Sequence, residues 1–211
     1  MFDEMGRTKV SIVPQGSKIP TEADGYLLFI PPAQKKDRNW DEALSFVETE
    51  VRGQIEAAAK RFAFEPKPNE VLTFDLGASR RIVVVVLPSG EPQPFFYLEV
   101  CRKAAKAMAD FKVRKLWADF RGCPEGAAIA ANSLVAATVA LLFEAKQYSS
   151  EKVETKKSDS RKLASILYLM GPKGRSWKES DFLSSIQIGA ATNIVRYLAG
   201  LPGNELTPSA Y

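Results

Sequence analysis

The segment RIVVVVLP (Arg81–Pro88) does most to limit the folds open to this chain. Ile82–Leu87 is apolar at every position, so neither side of a strand formed here is suited to water. Strands of that kind lie inside parallel or mixed sheets whose two faces are both covered by helices. The run therefore predicts a central strand of such a sheet.

The rest of the chain supplies the layers. KVSIV (Lys9–Val13) and YLLFI (Tyr26–Ile30) read as strands, the second closed by Pro31 and Pro32. Between Asn39 and Phe62 a single helix is predicted, because Leu44, Val47, Val51, Ile55, Ala58 and Phe62 recur at spacings of three and four. Asn39 and Glu42 would form its capping box. Asp41 and Glu42 would sit at the positive end of its dipole, and Lys60 and Arg61 at the negative end. VLTFDL (Val71–Leu76) is a strand just before the Val-rich one. A helix over about Phe95–Phe111 then carries Leu98, Cys101, Ala105 and Met108 on one face. KLWADF (Lys115–Phe120) is a strand, and Pro124 suits the first turn of an Ala-rich helix. LASILYLM (Leu163–Met170) is another apolar strand. The last helix would be capped by Ser176 with Glu179 and would end near Gly200. Alternation of this kind predicts an α/β fold with a mixed, largely parallel sheet between helices.

Composition narrows the class. Hydrophobic residues are 45% and charged residues 26%, which excludes disorder along the whole length. With Cys101 and Cys123 as its cysteines the chain has no disulfide scaffold, and a reducing compartment, the cytoplasm, is expected. MFDEMGRTKV, at the start, lacks the apolar core of a signal peptide. The segment AAIAANSLVAATVALLF (Ala127–Phe143) is interrupted by Asn132, Ser133 and Thr138, so it reads as a helix buried within a domain rather than a membrane span. The net charge of +4 is spread over many segments, with local excesses at Arg102–Lys115 and Lys146–Lys162. Without a concentrated basic stripe or a binding motif, nucleic acid is not an expected partner.

Chemistry-bearing residues are sparse. The chain has no histidine, which removes Ser-His-Asp and Cys-His catalysis and any histidine-based metal site. The cysteines form no Cys-x-x-Cys pattern. Cys101 falls on a helix face expected to be buried, whereas Cys123 lies in a loop where exposure is possible. GPKGRS (Gly171–Ser176) follows a strand and precedes a helix, where backbone N–H groups hold anions, but it lacks the phosphate-loop spacing. The loops LPSGEP (Leu87–Pro92) and RGCPEG (Arg121–Gly126) also follow strands, where open α/β sheets bind ligands. Asp75 and Asp119 end or interrupt strands and read as solvated strand-end or capping residues. No catalytic, cofactor-binding or metal-binding residue is assigned.

Near the end of the chain, Arg196-x-Leu198 is followed by Pro202, Asn204 and Leu206-Thr207-Pro208. This resembles the junction segment of the leucine aminopeptidase (cytosol aminopeptidase) family of metallopeptidases, which leads from the N-terminal domain into the catalytic domain. RRIVVVVLP is similar to the family's Val-rich central strand, EVCRKAAKAMADFKVRKL to its Ala/Lys-rich helix and next strand, and LVAATVALLFEAKQYSSEK to its long helix with the Lys-rich loop that ends it. Tyr197 and Gly200 depart from the family pattern, as in a divergent member.

The resemblance implies that residues 1–200 are a macro-domain-like N-terminal domain and that residues 201–211 begin the junction to a catalytic domain absent from this chain. It implies a noncatalytic role in assembly or in access to the active site, within a cytosolic homo-oligomer, a hexamer in the family. The parent would release N-terminal amino acids from peptides with two divalent metals, zinc, manganese or magnesium, held by the other domain. The alternative is a stand-alone macro-like module that binds a nucleotide or ADP-ribose-type ligand through its strand-end glycine loops. A basic surface contacting nucleic acid is the third reading, and it predicts strongly salt-dependent binding.

Overall fold

The computed structural model describes residues 8–14, 16–17, 23–32, 44–76, 80–90, 93–141 and 166–199. Six strands form one sheet: β1 (Lys9–Val13), β2 (Gly25–Ile30), β3 (Val71–Leu76), β4 (Arg80–Val86), β5 (Lys115–Asp119) and β6 (Ile166–Met170). Their order is β1-β6-β5-β2-β4-β3, and every neighbouring pair is parallel except β3 with β4. The expected mixed, largely parallel sheet is the observed one. β4 is an interior strand, though β5 and β2 hold the middle of the sheet.

Side-chain alternation divides the apolar runs between two cores. Leu27, Phe29, Val83 and Val85 join one cluster with helices α2 (Pro94–Asp110) and α3 (Ala127–Leu141). Tyr26, Leu28, Ile30, Ile82, Val84 and Val86 join the other, beneath helix α1 (Thr49–Arg61). Ile82–Val86 are all 1% exposed or less, which is why none of them is polar. Each such side chain contributes about 1.5–3 kcal/mol of hydrophobic stabilisation.

The helices depart from expectation at their ends. The chain turns over residues 44–47 and α1 begins at Thr49, so one continuous helix from Asn39 is not what forms. Leu44 and Val47 fit the apolar period because the turn packs them into the core. Asn39, Asp41 and Glu42 lie outside the described residues. At the other end Phe62 is 55% exposed rather than buried, because the helix stops at Arg61 and Ala63 takes a left-handed backbone. Pro124 sits in a turn, and α3 starts only at Ala127.

The Ala-rich α3 is buried along almost its whole length, packed between α2 and the last helix, α4 (Leu183–Ala199). No helix among the described residues is long and apolar enough to cross a membrane. Ahead of α4 comes a four-residue 3-10 turn, Glu179–Phe182. Its entry is held by Asp181, which accepts the Lys178 N–H at 2.9 Å, and not by Ser176 with Glu179. The predicted strand residues Leu163, Ala164 and Ser165, and the basic segment Lys146–Lys162 before them, lie outside the described residues, as does everything after Ala199.

Candidate functional site

The parallel strands point their carboxyl ends the same way, so the loops after β4, β5 and β6 gather along one edge of the sheet. The chain after β2 leads to α1 on one face, while the chain after β5 leads to α3 on the other. Crevices open at such divergences.

At this position Asp119, the last residue of β5, is fully buried. Its carboxylate accepts a hydrogen bond from the Tyr26 hydroxyl of β2 at 2.9 Å and from the Arg121 backbone N–H at 3.0 Å. The Arg121 guanidinium completes the set, with Nε at 3.0 and 3.1 Å and Nη2 at 2.6 Å. Phe46 lies over that guanidinium, 5.2 Å from the ring centroid. Gly122 permits the close approach, because a Cβ there would fall 2.8 Å from the Phe29 carbonyl oxygen and 2.6 Å from the Phe46 ring.

The electrostatics follow from burial. Burial, and then the Asp119 charge, push the Tyr26 hydroxyl well above the ordinary phenol range. Burial works against the charge on Arg121, but the hydrogen bond and charge of Asp119 override it and hold the guanidinium protonated. Both carboxylate oxygens are occupied, so Asp119 joins β5, β2 and the following loop. The solvated reading of Asp119 is thus corrected. The signal for it is the pattern Asp119-Phe120-Arg121, an acid ending an apolar strand with a base two residues on.

Asp75 lies at the far end of the sheet, opposite Arg81 in the β3–β4 register. Arg81 Nε donates to it at 2.8 Å, and the guanidinium stacks 4.4 Å from the Phe111 centroid. The two carboxylates singled out from sequence therefore stand at opposite edges and form no shared site.

Cys101 and Cys123 are both buried, so the exposure considered for Cys123 is not realised. The turn after β5 folds back, with the Cys123 N–H on the Phe120 carbonyl at 3.1 Å. Gly126, at φ +76°, then lets the Tyr97 ring close over the turn where any Cβ would collide. Burial raises both thiols far above their ordinary value, which leaves neither as a nucleophile.

The GPKGRS loop borders a cleft of about 320 Å³ at the ends of β1 and β6, lined by Val13, Gly171, Gly174, Arg175, Ser176 and Trp177 among others. Trp177 closes its inner side, edge-on to Phe120 and Phe182 at 5.5 and 5.6 Å. The 3-10 turn separates this loop from α4, so the loop does not open directly into an α-helix, as the anion-binding reading requires. Of LPSGEP, residues 87–90 are described, with Gly90 at φ +85°; Glu91 and Pro92 lie outside the described residues. Among the described residues no group of three or more His, Cys, Asp or Glu could hold a metal ion.

A different kind of contact joins α3 and α4. Two α3 carbonyls, those of Val139 and then Ala140, accept side-chain hydrogen bonds from α4. Asn193 Nδ2 donates to the first and Arg196 Nη1 to the second, each at 2.8 Å. Ser185 Oγ reaches Asn132 Oδ1 at 2.6 Å. Arg196, the Arg of the Arg-x-Leu pattern, thus ties α4 to a neighbouring helix.

No family model matches the sequence, and no curated protein matches it. Among solved structures the chain is similar to a mutant of tomato leucine aminopeptidase. The match has a TM-score of 0.72 at 20% identity and covers 97% of this chain and 41% of that one. This chain therefore spans less than half the length of the aminopeptidase it matches, and what the two demonstrably share is the fold.

Proposed function

We propose that this chain is the noncatalytic N-terminal domain of a leucine aminopeptidase-like metallopeptidase, with a role in assembly or in access to the active site. One observation carries the reading: almost the whole chain superimposes on less than half of a leucine aminopeptidase. The Leu206-Thr207-Pro208 segment adds support from sequence, since it resembles the stretch that leads into a catalytic domain.

The chemistry of the described residues fits a supporting role. Asp119 is consumed by Arg121 and Tyr26, both thiols are buried, and the sequence holds no histidine. The two divalent metals of the parent, zinc, manganese or magnesium, would be held by the other domain, so no catalytic step is assigned to this chain. In this reading the parent removes N-terminal residues from peptides in the cytoplasm, as a homo-oligomer such as a hexamer.

The mass of the natural polypeptide tests the proposal. A blot of source extract with an antibody to this chain should show a band well above 23.3 kDa. A band at that mass would overturn the reading. Hydrolysis of a leucyl substrate by the purified chain with added Mn²⁺ or Zn²⁺, free of contaminating peptidase, would overturn the noncatalytic assignment.

The cleft beside Trp177 favours a second reading, a macro-like module for a nucleotide or ADP-ribose-type ligand. Calorimetric titration with ADP-ribose decides it, and absence of heat at high protein concentration removes it.

A further inference from the structure

The outward side of α4 carries an apolar stripe, bordered by exposed Ser184 and Gln187. Ile188 and Val195 are 61% and 64% exposed, and they stand seven residues apart, two helical turns along one side. Ala191 and Ala199 continue the same exposed stripe. Thr192, between them, donates its hydroxyl to the Ile188 carbonyl at 2.9 Å, so it offers no free hydroxyl proton there. Over Leu183–Ala199 the sequence has one charged residue, Arg196, and that guanidinium donates to Ala140 on the neighbouring helix. A helix finished for water carries its charges on this side.

We infer that the Ile188–Val195 stripe of α4 is the surface covered by a second domain of the same polypeptide, through an apolar face of that domain. The inference rests on the aminopeptidase reading above. Its occupant follows from length: the matched aminopeptidase chain has 59% of itself outside the match, which is ample for another domain (100 − 41). Small and β-branched side chains at 188, 191, 195 and 199 suit close approach of a packed element, and burying such a stripe removes apolar surface from water.

Thiol labelling of the full-length polypeptide, read position by position by peptide mass spectrometry, tests this, and within this chain Cys101 and Cys123 are buried and do not compete. Val195→Cys is compared with Ala57→Cys, an exposed site on α1. Ile188→Cys is a second reporter should Val195→Cys not fold. With maleimide, position 195 should label at least about tenfold more slowly than position 57, and the difference should vanish in urea. Equal rates in the folded full-length protein would overturn the inference while leaving the aminopeptidase reading intact. Protection at 195 that disappears on dilution would assign the stripe to a second copy of the chain and would also overturn it. A natural polypeptide no longer than this chain would remove the aminopeptidase reading, and the inference with it.

Discussion

Helices α1 and α4 treat water in opposite ways. α1 buries Ile55, Ala58 and Ala59 and places Glu50 in its first turn and Lys60 and Arg61 in its last, all three exposed. α4 turns Ile188 and Val195 outward and directs Ser185, Asn193 and Arg196 toward α3. An apolar stripe on a helix therefore does not by itself mark the inside. Here the inner side of α4 is chosen by its hydrogen bonds to the Val139 and Ala140 carbonyls of α3 and by Gly189, whose missing Cβ lets the two backbones approach. The outer side leaves Ile188 and Val195 exposed beside Ser184 and Gln187.

The largest expected effect lies beneath α1, where polar groups are concentrated in one ion pair on a fully buried carboxylate rather than spread over separate hydrogen bonds as between α3 and α4. Arg121→Ala would leave the Asp119 carboxylate buried with its charge uncompensated, at a cost of about 3–5 kcal/mol in urea unfolding. A loss below about 1 kcal/mol would mean that water reaches Asp119 and that the cluster does not join β5 to β2.

Two glycines sharpen the contrast next. A methyl at Gly189 would lie 2.7 Å from the Val139 Cβ and 2.8 Å from the Ala136 carbonyl oxygen, so Gly189→Ala should wedge α4 off α3. The expected loss is about 1–3 kcal/mol despite alanine's better helix propensity. Gly53, on the outer side of α1, has nothing within 4 Å of the added methyl. There Gly53→Ala should gain about 0.5–1 kcal/mol, so the same substitution carries opposite signs on the two helices. Thermal melts of both variants decide the matter.

The polar contacts of α4 come third. Asn193→Ala removes the buried hydrogen bond to the Val139 carbonyl and should cost about 0.5–1.5 kcal/mol. Lys60→Ala, on the exposed end of α1, should stay within about 0.5 kcal/mol. If the two variants melt alike, the hydrogen bond from Asn193 to α3 is not what holds the helices together.

These contrasts show what the sequence makes legible. Strands such as Ile82–Val86 and Leu116–Ala118 announce themselves because burial on both faces leaves no room for a polar residue, and the layered fold follows from their alternation with helices. Local periodicity is less decisive at element ends. Leu44 and Val47 keep the helical spacing while the backbone turns, and Phe62 keeps it beyond the end of α1. Long-range pairing is hardest to read. Tyr26 and Asp119 meet only because β2 and β5 become neighbours, and Asn193 finds Val139 only once α3 and α4 are side by side.

The smallest expected effect discriminates most about function. Ile188→Lys and Val195→Lys place charges where α1 already has them, on a side facing water in this chain. The side chains are more than half exposed, so little buried apolar surface is lost, and lysine is the better helix former by a few tenths of a kcal/mol. The stability of the 211-residue chain should therefore stay within about 0.5 kcal/mol, measured by urea titration. A loss above about 1 kcal/mol would mean that the stripe is already covered within this chain, and α4 would then be an ordinary amphipathic helix. A neutral result leaves an apolar surface that the chain's own stability does not require, and a surface of that kind is explained by what packs on it.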